Sequence, residues 1–419
     1  MGSSAEELLT LGLALTSPWK IIDQHLDTSV NPHRLNIRIG AERGSLYPCP
    51  ECGALCKAHD FKEFTWRHLN FFQHHCYLTA DVPRIKCPKH GIRRVKVPWA
   101  RKGSQFTLLF EQVAMSLVRE MPVSAAARII EITDKRLWRI VKHYVSKAMS
   151  KLDLSLVKAI GLDETSSKRG HNYVTVFIDL DRRERPVIFA TPGKGKECLK
   201  RFREYLKRRK GNPSKIAEVV CDMSRSFLSG IKENFENAEI TVDWFHVVQL
   251  FTRAVDEVRK AEQRETVLPK GTRWAVLKSK ETNLTASQQE ALLELETKGF
   301  LTATAYRIKE QLRWIRHAEN EQALKWRITR FINYAYEQVG CEKILAPVRK
   351  ALKTFEKHAK AIARRWLSGH SNDRLEGLNG LFQAARARAR GYLNVENFIT
   401  MIYLIAAPIQ ELLQIKIPH

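Results

Sequence analysis

Three carboxylates stand where a sheet could bring them together. Asp163 closes the run Ala159-Ile-Gly-Leu, and Asp222 closes Val219-Val-Cys. Each reads as the last residue of a strand, and two strand-terminal carboxylates at one sheet edge can share a pair of metal ions. Hard oxygen ligands suit Mg²⁺ (or Mn²⁺ in its place), which keeps open positions for water and phosphate oxygens. Two such ions about 3.5–4 Å apart activate an attacking oxygen and stabilise a leaving one. Glu376, in Ser371-Asn-Asp-Arg-Leu-Glu-Gly, is the candidate third ligand, near the start of the last long helical stretch. Asp373 reads as a helix cap, and Asp243, in Val242-Asp-Trp-Phe-His246, is the next candidate ligand. Glu164 is expected on the opposite strand face from Asp163, because successive strand side chains alternate.

Softer ligands cluster nearer the N-terminus. Cys49-Pro-Glu-Cys52-Gly and Cys87-Pro-Lys-His90-Gly are two knuckles whose ligands are separated by two residues. One tight turn aims both side chains of a knuckle at one ion, and the following Gly supplies the positive φ such turns favour. Cys49, Cys52, Cys87 and His90 together make the closed four-ligand set of a structural zinc site. Cys56 and Cys76 lack a partner at this spacing and read as packing residues; His74 and His75 read as surface or strand positions, with His59 nearby. The segment around Val82 to Ile85 would form the hairpin of a zinc ribbon, presenting Arg67, Arg93, Arg94 and Lys96 to phosphates.

The totals narrow the partner. The 419 residues suffice for two or three domains and a sizeable core. Seventy Lys and Arg against 45 Asp and Glu leave a formal charge of +25, spread along the chain, which points to nucleic acid. No apolar run is long enough for a bilayer span, and no basic-then-apolar leader opens the chain, so a cytoplasmic protein without membrane contact is expected. The clustering of the eight cysteines suits metal binding in a reducing compartment.

Other elements must position these groups. Glu6 to Ala14 reads as a short helix, and alternation at Leu35, Ile37 and Ile39 as a strand. Residues 105–150 look helical throughout. Within them, Val123 to Ile130, a turn at Glu131-Ile-Thr133 and a second helix to Val145 form a candidate helix-turn-helix. Its core would take Ala126, Ile129, Ile132, Leu137 and Val141, leaving Lys135, Arg136, Arg139 and Lys142 for DNA. The turn of this motif often carries Gly, where Glu131 stands here. Strands at 159–163, 173–180, 186–190, 216–221 and 239–244, with helices at 197–210 and 226–235, predict an α/β mixed sheet with helices on its faces. From His246 to about Gly369 the pattern is helical, broken near Pro269-Gly271 and Pro347. Its Trp274, Trp314, Trp326 and Trp366 read as core residues, with stacking on bases as the alternative. The last helical stretch breaks at Gly391, and its Arg386, Arg388 and Arg390 form a basic strip.

At these motifs the chain resembles the bacterial insertion-sequence transposases of the ISL-three family. The matching stretches run in order along nearly the whole chain: Leu11-Gly-Leu13 with Pro18-Trp19, the two knuckles, Pro98-Trp-Ala-Arg101 before Phe106-Thr107, and Ala125-Ala-Ala-Arg128 with Leu137-Trp138. Gly161-Leu-Asp-Glu164, Cys221-Asp-Met-Ser224, Asp243-Trp-Phe-His-Val-Val248, Glu376-Gly-Leu-Asn379, and Gly391-Tyr392 with Glu396-Asn-Phe398 complete the series. His90 stands where a Cys is common, and remains a competent ligand.

The resemblance implies an N-terminal region with a zinc ribbon (1–100) and a helix-turn-helix domain (101–152). It further implies a ribonuclease-H-like catalytic core (153–245 and 371–419), split by a helical insertion (246–370). The family's Asp-Asp-Glu triad falls on Asp163, Asp222 and Glu376. The expected activity is two-metal hydrolysis and strand transfer at the inverted-repeat ends of a mobile element. Double-stranded DNA is the expected partner, a dimer or higher assembly forms on it, and the site of action is the cytoplasmic nucleoid. A transposase-derived regulator that binds DNA without cutting it, or a structure-specific nuclease, would use the same modules.

Overall fold

Period-two alternation builds the first sheet. In a computed structural model describing residues 5–168, 170, 172–278 and 284–413, helix α1 (Ala5–Gly12) leads into β1 (Trp19–Asp27) and β2 (Arg34–Ala41). Short strands β3 (Tyr47–Pro48) and β4 (Leu55–Cys56) pair with each other. A long hairpin follows, β5 (Ala58–Phe71) with β6 (His74–Cys87), and β7 (Gly91–Arg94) returns along β6. The sheet runs β1-β2-β6-β5 with β7 also on β6; β2 and β6 are parallel. Leu35, Ile37 and Ile39 are buried against Leu78, Ala80 and Val82, as their alternation requires. The hairpin expected around Val82 is thus one end of a larger sheet, and the knuckles sit at that end.

Helices α2 (Leu108–Glu120), α3 (Val123–Ile129) and all but the end of α4 (Asp134–Ser150) complete this unit, which among the described residues takes in 5–148 and 410–413. Glu111 is fully buried yet satisfied: Arg101 pairs with it at 2.8 Å, Ser104 donates at 2.7 Å, and Tyr144 of α4 donates at 2.5 Å. The buried stripe of α3 is Val123, Ala126 and Ala127, so Ile129, expected in the core, is 58% exposed. The reason is rotational: Ala127 occupies the place one turn after Val123 and aims Ile129 outward. Glu131 adopts φ +55, the left-handed conformation that Gly takes easily. Its carboxylate lies 2.7 Å from His75 Nε2 and 3.8 Å from Arg67, contacts that hold the turn against the sheet without glycine.

The second unit, Met149–Ile409, is built on a mixed sheet. Its strands are β8 (Ala159–Lys168), β9 (Asn172–Asp179), β10 (Val187–Pro192), β11 (Glu218–Cys221) and β12 (Glu239–Val242), in the order β10-β9-β8-β11-β12. The first three pair antiparallel, and β8, β11 and β12 pair parallel. Helices α5 (Lys196–Arg208) and α6 (Arg225–Asn234) intervene between strands. Phe202 of α5 stacks on Phe177 at 4.5 Å, on one face of the sheet. Val174, Val176 and Ile178, one register position away, pack with Leu375, Phe382, Phe398 and Ile402 on the other.

A helical segment separates β12 from the last two helices. It comprises α7 (Trp244–Glu265), α8 (Thr272–Leu277), α9 (Ala286–Thr297), α10 (Leu301–Arg316), α11 (Glu321–Val339), α12 (Ala346–Ala363) and α13 (Arg365–Ser368). These helices enclose their own apolar core, including Phe251, Phe331 and Phe355. Trp314 and Trp366 pack against it, but Trp274 and Trp326 are each 55% exposed and are not the core residues their composition suggested. Pro347 lies in the first turn of α12, where its missing N–H costs nothing. Helices α14 (Asp373–Arg388) and α15 (Val395–Ala406) close the unit, separated by Arg390 at φ +54 and Gly391 at φ +93.

Candidate active site

The strand bearing Asp163 does not end there. β8 runs on to Lys168, paired with β9, whereas its pairing with β11 stops at Gly161. Asp163 therefore sits just past the point where β8 and β11 part. Asp222 follows the last residue of β11, and its Oδ1 accepts the Ser224 N–H at 2.9 Å. Asp243 likewise follows β12. All three carboxylates lie just past the last residues that pair in parallel between β8, β11 and β12, so sheet register brings them to one edge.

Glu376 arrives on α14, and a polar stripe on that helix sets its position. Asn372, Glu376, Asn379, Gln383 and Arg386 recur at helical spacing. Asn372 is buried and donates to the carbonyls of Leu162 (3.1 Å) and Val220 (3.4 Å), bridging β8 and β11 where their ladder opens. Its side chain fills the space over Gly161: a Cβ there would lie 2.2 Å from Asn372 Oδ1. Asn379 Nδ2 donates to Asp163 Oδ2 at 2.9 Å, Gln383 to Thr165 at 2.7 Å, and Arg386 to the Ser166 carbonyl at 3.1 Å. The helix thus replaces the strand that the end of β8 lacks. Ahead of it, His370 Nδ1 lies 2.7 Å from buried Glu218 and its Nε2 lies 3.3 Å from Asp181.

Negative charge accumulates here. Burial, then Asp243 and Asp373 beside it, push the Glu376 carboxyl up to about 8. Burial also raises Asp163, opposed by the Glu164 N–H and by His246, whose Nε2 lies 3.8 Å from Asp163 Oδ1. Asp243 is raised by burial as well. Glu164, across the strand toward Lys194 as alternation requires, is pushed up to about 7 by burial and then by Asp222. Oδ1 and Oδ2 of Asp243 and Oε1 of Glu376 are buried without a donor. Bare carboxylate oxygens in such a place suit a divalent cation, which removes the mutual repulsion. Asp373, expected as a cap, is instead the first residue of α14 and pairs with Arg365 at 3.2 Å.

The second cluster is at the knuckles. Cys49, Cys52, Cys87 and His90 each offer an atom within 4.8 Å of the others. Cys52 Sγ lies 3.7 Å from Cys87 Sγ, and His90 Nδ1 lies 3.7 Å from Cys49 Sγ and 3.6 Å from Cys87 Sγ. A zinc tetrahedron with sulfur bonds of about 2.3 Å spaces its corners about 3.8 Å apart. Burial raises the Cys87 thiol, but backbone N–H groups of Lys89 and His90 outweigh it and bring it down to about 7. Cys56 flanks this set outside it, and buried Cys76, pushed up to about 12 by burial, sits elsewhere in β6.

The expected DNA contacts differ in availability. Lys135, Arg139, Arg388 and Arg390 are exposed, and Lys142 is half-buried. Arg136 donates to Gln105 at 3.0 Å and covers Phe106, while Arg386 is tied to Ser166. Sequence reasoning missed Asn372, Asn379 and Gln383. Their only signal was a polar stripe in step with Glu376 on a helix expected to pack on a sheet.

Comparison with known proteins matches this arrangement region by region. Residues 160–402, over half the chain, match the ISL3 transposase model of the DDE type. Residues 95–145 match the helix-turn-helix domain of transposase family ISL3, and residues 46–90 match the zinc finger of the IS204/IS1001/IS1096/IS1165 transposases. The transposase for insertion sequence element IS1001 of Bordetella parapertussis is 27% identical over 370 residues, covering 84% of this chain and 87% of that one. The transposase for IS1557 of Mycobacterium tuberculosis is 26% identical over 407 residues, covering 89% of each. No described helix is long and apolar enough to cross a membrane. With its zinc-finger, DNA-binding and catalytic regions matched in order, the chain belongs to the ISL3 family of DNA transposases, metal-dependent enzymes that cut and join DNA.

Proposed function

We propose that Asp163, Asp222 and Glu376 are the three catalytic carboxylates and hold two Mg²⁺ (or Mn²⁺) ions in a ribonuclease-H-like core. The observation that supports this reading is the placement of Asp163, Asp222 and Asp243 where the parallel pairing of β8, β11 and β12 runs out, with Glu376 brought by α14 to within reach of Asp243. Bound divalent ions supply charge stabilisation at phosphate and a lowered pKa for water. Asn379 and the Glu164 N–H orient the Asp163 carboxylate, and Asn372 keeps β8, β11 and α14 in register. Hydrolysis of a phosphodiester at the element's end frees a 3′-hydroxyl, and in-line attack by that hydroxyl on target DNA joins the strands.

Cys49, Cys52, Cys87 and His90 hold a structural zinc. Lys135, Arg139 and Lys142 of α4 read the inverted-repeat end, and Arg388 and Arg390 neutralise phosphates beside the carboxylates; Arg136 and Arg386 serve first as struts. Two ends require two sites, so the working form on DNA is a dimer or larger, acting on nucleoid DNA in the cytoplasm.

The test is cleavage and joining of labelled duplex carrying the element's own end. Asp222→Asn is expected to lower cleavage about 10³-fold, the scale of several kcal/mol of metal-borne charge stabilisation, with end binding unchanged. Equal cleavage by both proteins would remove Asp222 from the site.

A further inference from the structure

We propose that Asp243 is a fourth carboxylate ligand of the divalent-metal site, sharing one ion with Glu376. The inference rests on the metal reading above and extends it to a residue outside the triad.

Asp243 occupies the N-cap position of α7 with extended backbone, φ −71 and ψ 129. An Asp there ordinarily accepts a backbone N–H of the first turn, and that bond explains most such residues. Here the side chain makes no cap bond. The residue is 1% exposed, and neither oxygen has a fixed donor; the Glu376 carboxyl beside it is the neighbour close enough to share a proton with it. A buried carboxylate with no donor is strongly unfavourable unless a cation or a proton neutralises it. Its carboxylate is therefore not accounted for by the fold.

What it faces is informative. Oxygens of Asp243, Asp373 and Glu376 lie within 4.8 Å of one another. Asp373 is exposed and already paired with Arg365, which leaves Asp243 and Glu376 as the inward pair. Glu376 Oε1 is itself buried and without a donor. The charges of Asp222 and Asp243 both act on the Asp163 carboxylate, so the three share one neighbourhood. In this arrangement Asp222 would hold one ion, Glu376 with Asp243 the other, and Asp163 both. The N-terminus of α7 adds its partial positive charge beside Asp243, which favours the ionised form that a metal needs. A single proton shared between the two carboxyls is the competing explanation.

Mn²⁺ binding, followed by electron paramagnetic resonance on the full chain with its end duplex, separates them. For Asp243→Asn, the affinity of one of two Mn²⁺ ions is expected to fall about ten-fold or more, at least the loss typical of an outer-shell group. Asp163→Asn should weaken both. Unchanged Mn²⁺ binding by Asp243→Asn, with binding lost in Asp163→Asn, would overturn the role of Asp243 and leave the triad intact. Equal binding by wild type and Asp163→Asn would overturn the metal reading and this inference with it. A measurement on the unaltered protein guards against misfolding of the variant. Iron-generated hydroxyl radicals should cut the backbone near residues 243 and 376, with protection by Mg²⁺. Cuts confined to the surroundings of 163 and 222 would overturn the proposal.

Discussion

The knuckle cluster and the carboxylate cluster are assembled in opposite ways. Each knuckle contributes two ligands from one turn, and only the meeting of two turns is left to the fold. The carboxylates come singly, from β8 and from the residues following β11 and β12, and from a helix more than a hundred residues further on. Local assembly tolerates change in the surrounding sheet. Assembly from separate elements depends on every packing contact that sets their spacing.

Removal of one of the proposed zinc ligands should show the larger effect. Structural zinc contributes on the order of 10 kcal/mol to folding, so Cys87→Ser is expected to release zinc to a chelator and abolish end binding. Mn²⁺ uptake at the carboxylates should be unchanged. Retention of one zinc per chain would break the comparison, because the knuckles would then not act as a set.

Gly161→Ala sharpens the other side. The added methyl would meet Asn372 Oδ1, which must move and take the first turn of α14 with it. Misplacement of about 1 Å at a catalytic group costs about 10²-fold in rate, with zinc content and end binding unaltered. Asn372→Ala in the same chain makes room for the methyl. Recovery would show a steric fault; no recovery would show that the bridge itself matters. Cleavage at the wild-type rate by Gly161→Ala would mean that the helix is not held there.

The smallest effect is in pH. In metal-free protein Glu376 sits at about 8 and Glu164 at about 7, above their ordinary 4.5. The folded chain then keeps protons that the unfolded chain releases, so the contribution of these two groups to stability is full below about 4.5 and is lost as pH rises towards 8. The melting temperature without metal should drop between pH 5 and 8, and added Mg²⁺ should restore it most at pH 8. A flat profile would show that these carboxylates are not crowded in solution.

The two clusters were also unequally legible. The knuckles were readable because two residues between ligands is a local constraint, and one turn satisfies it whatever surrounds it. Asp163 and Asp222 were expected at strand ends because each closes an apolar run; Asp222 does follow β11, whereas β8 continues past Asp163, carried on by pairing with β9 and by α14. Ile129 was misplaced because a seven-residue helix carries too little periodicity to set its own rotation. The exposed Trp274 and Trp326 had no local signal to separate them from the packed Trp314 and Trp366.

By itself the sequence determined which residue types could bind metal, their order, and the modules that hold them. These follow from covalent spacing and from the apolar rhythm of single elements. Only the tertiary structure decided that Asn372 rests on Gly161, that Glu131 takes the place of glycine with a hydrogen bond from His75, and that Asp243 faces Glu376 without a fixed donor. Each of those is a contact between residues more than fifty positions apart, and no local pattern records such a meeting.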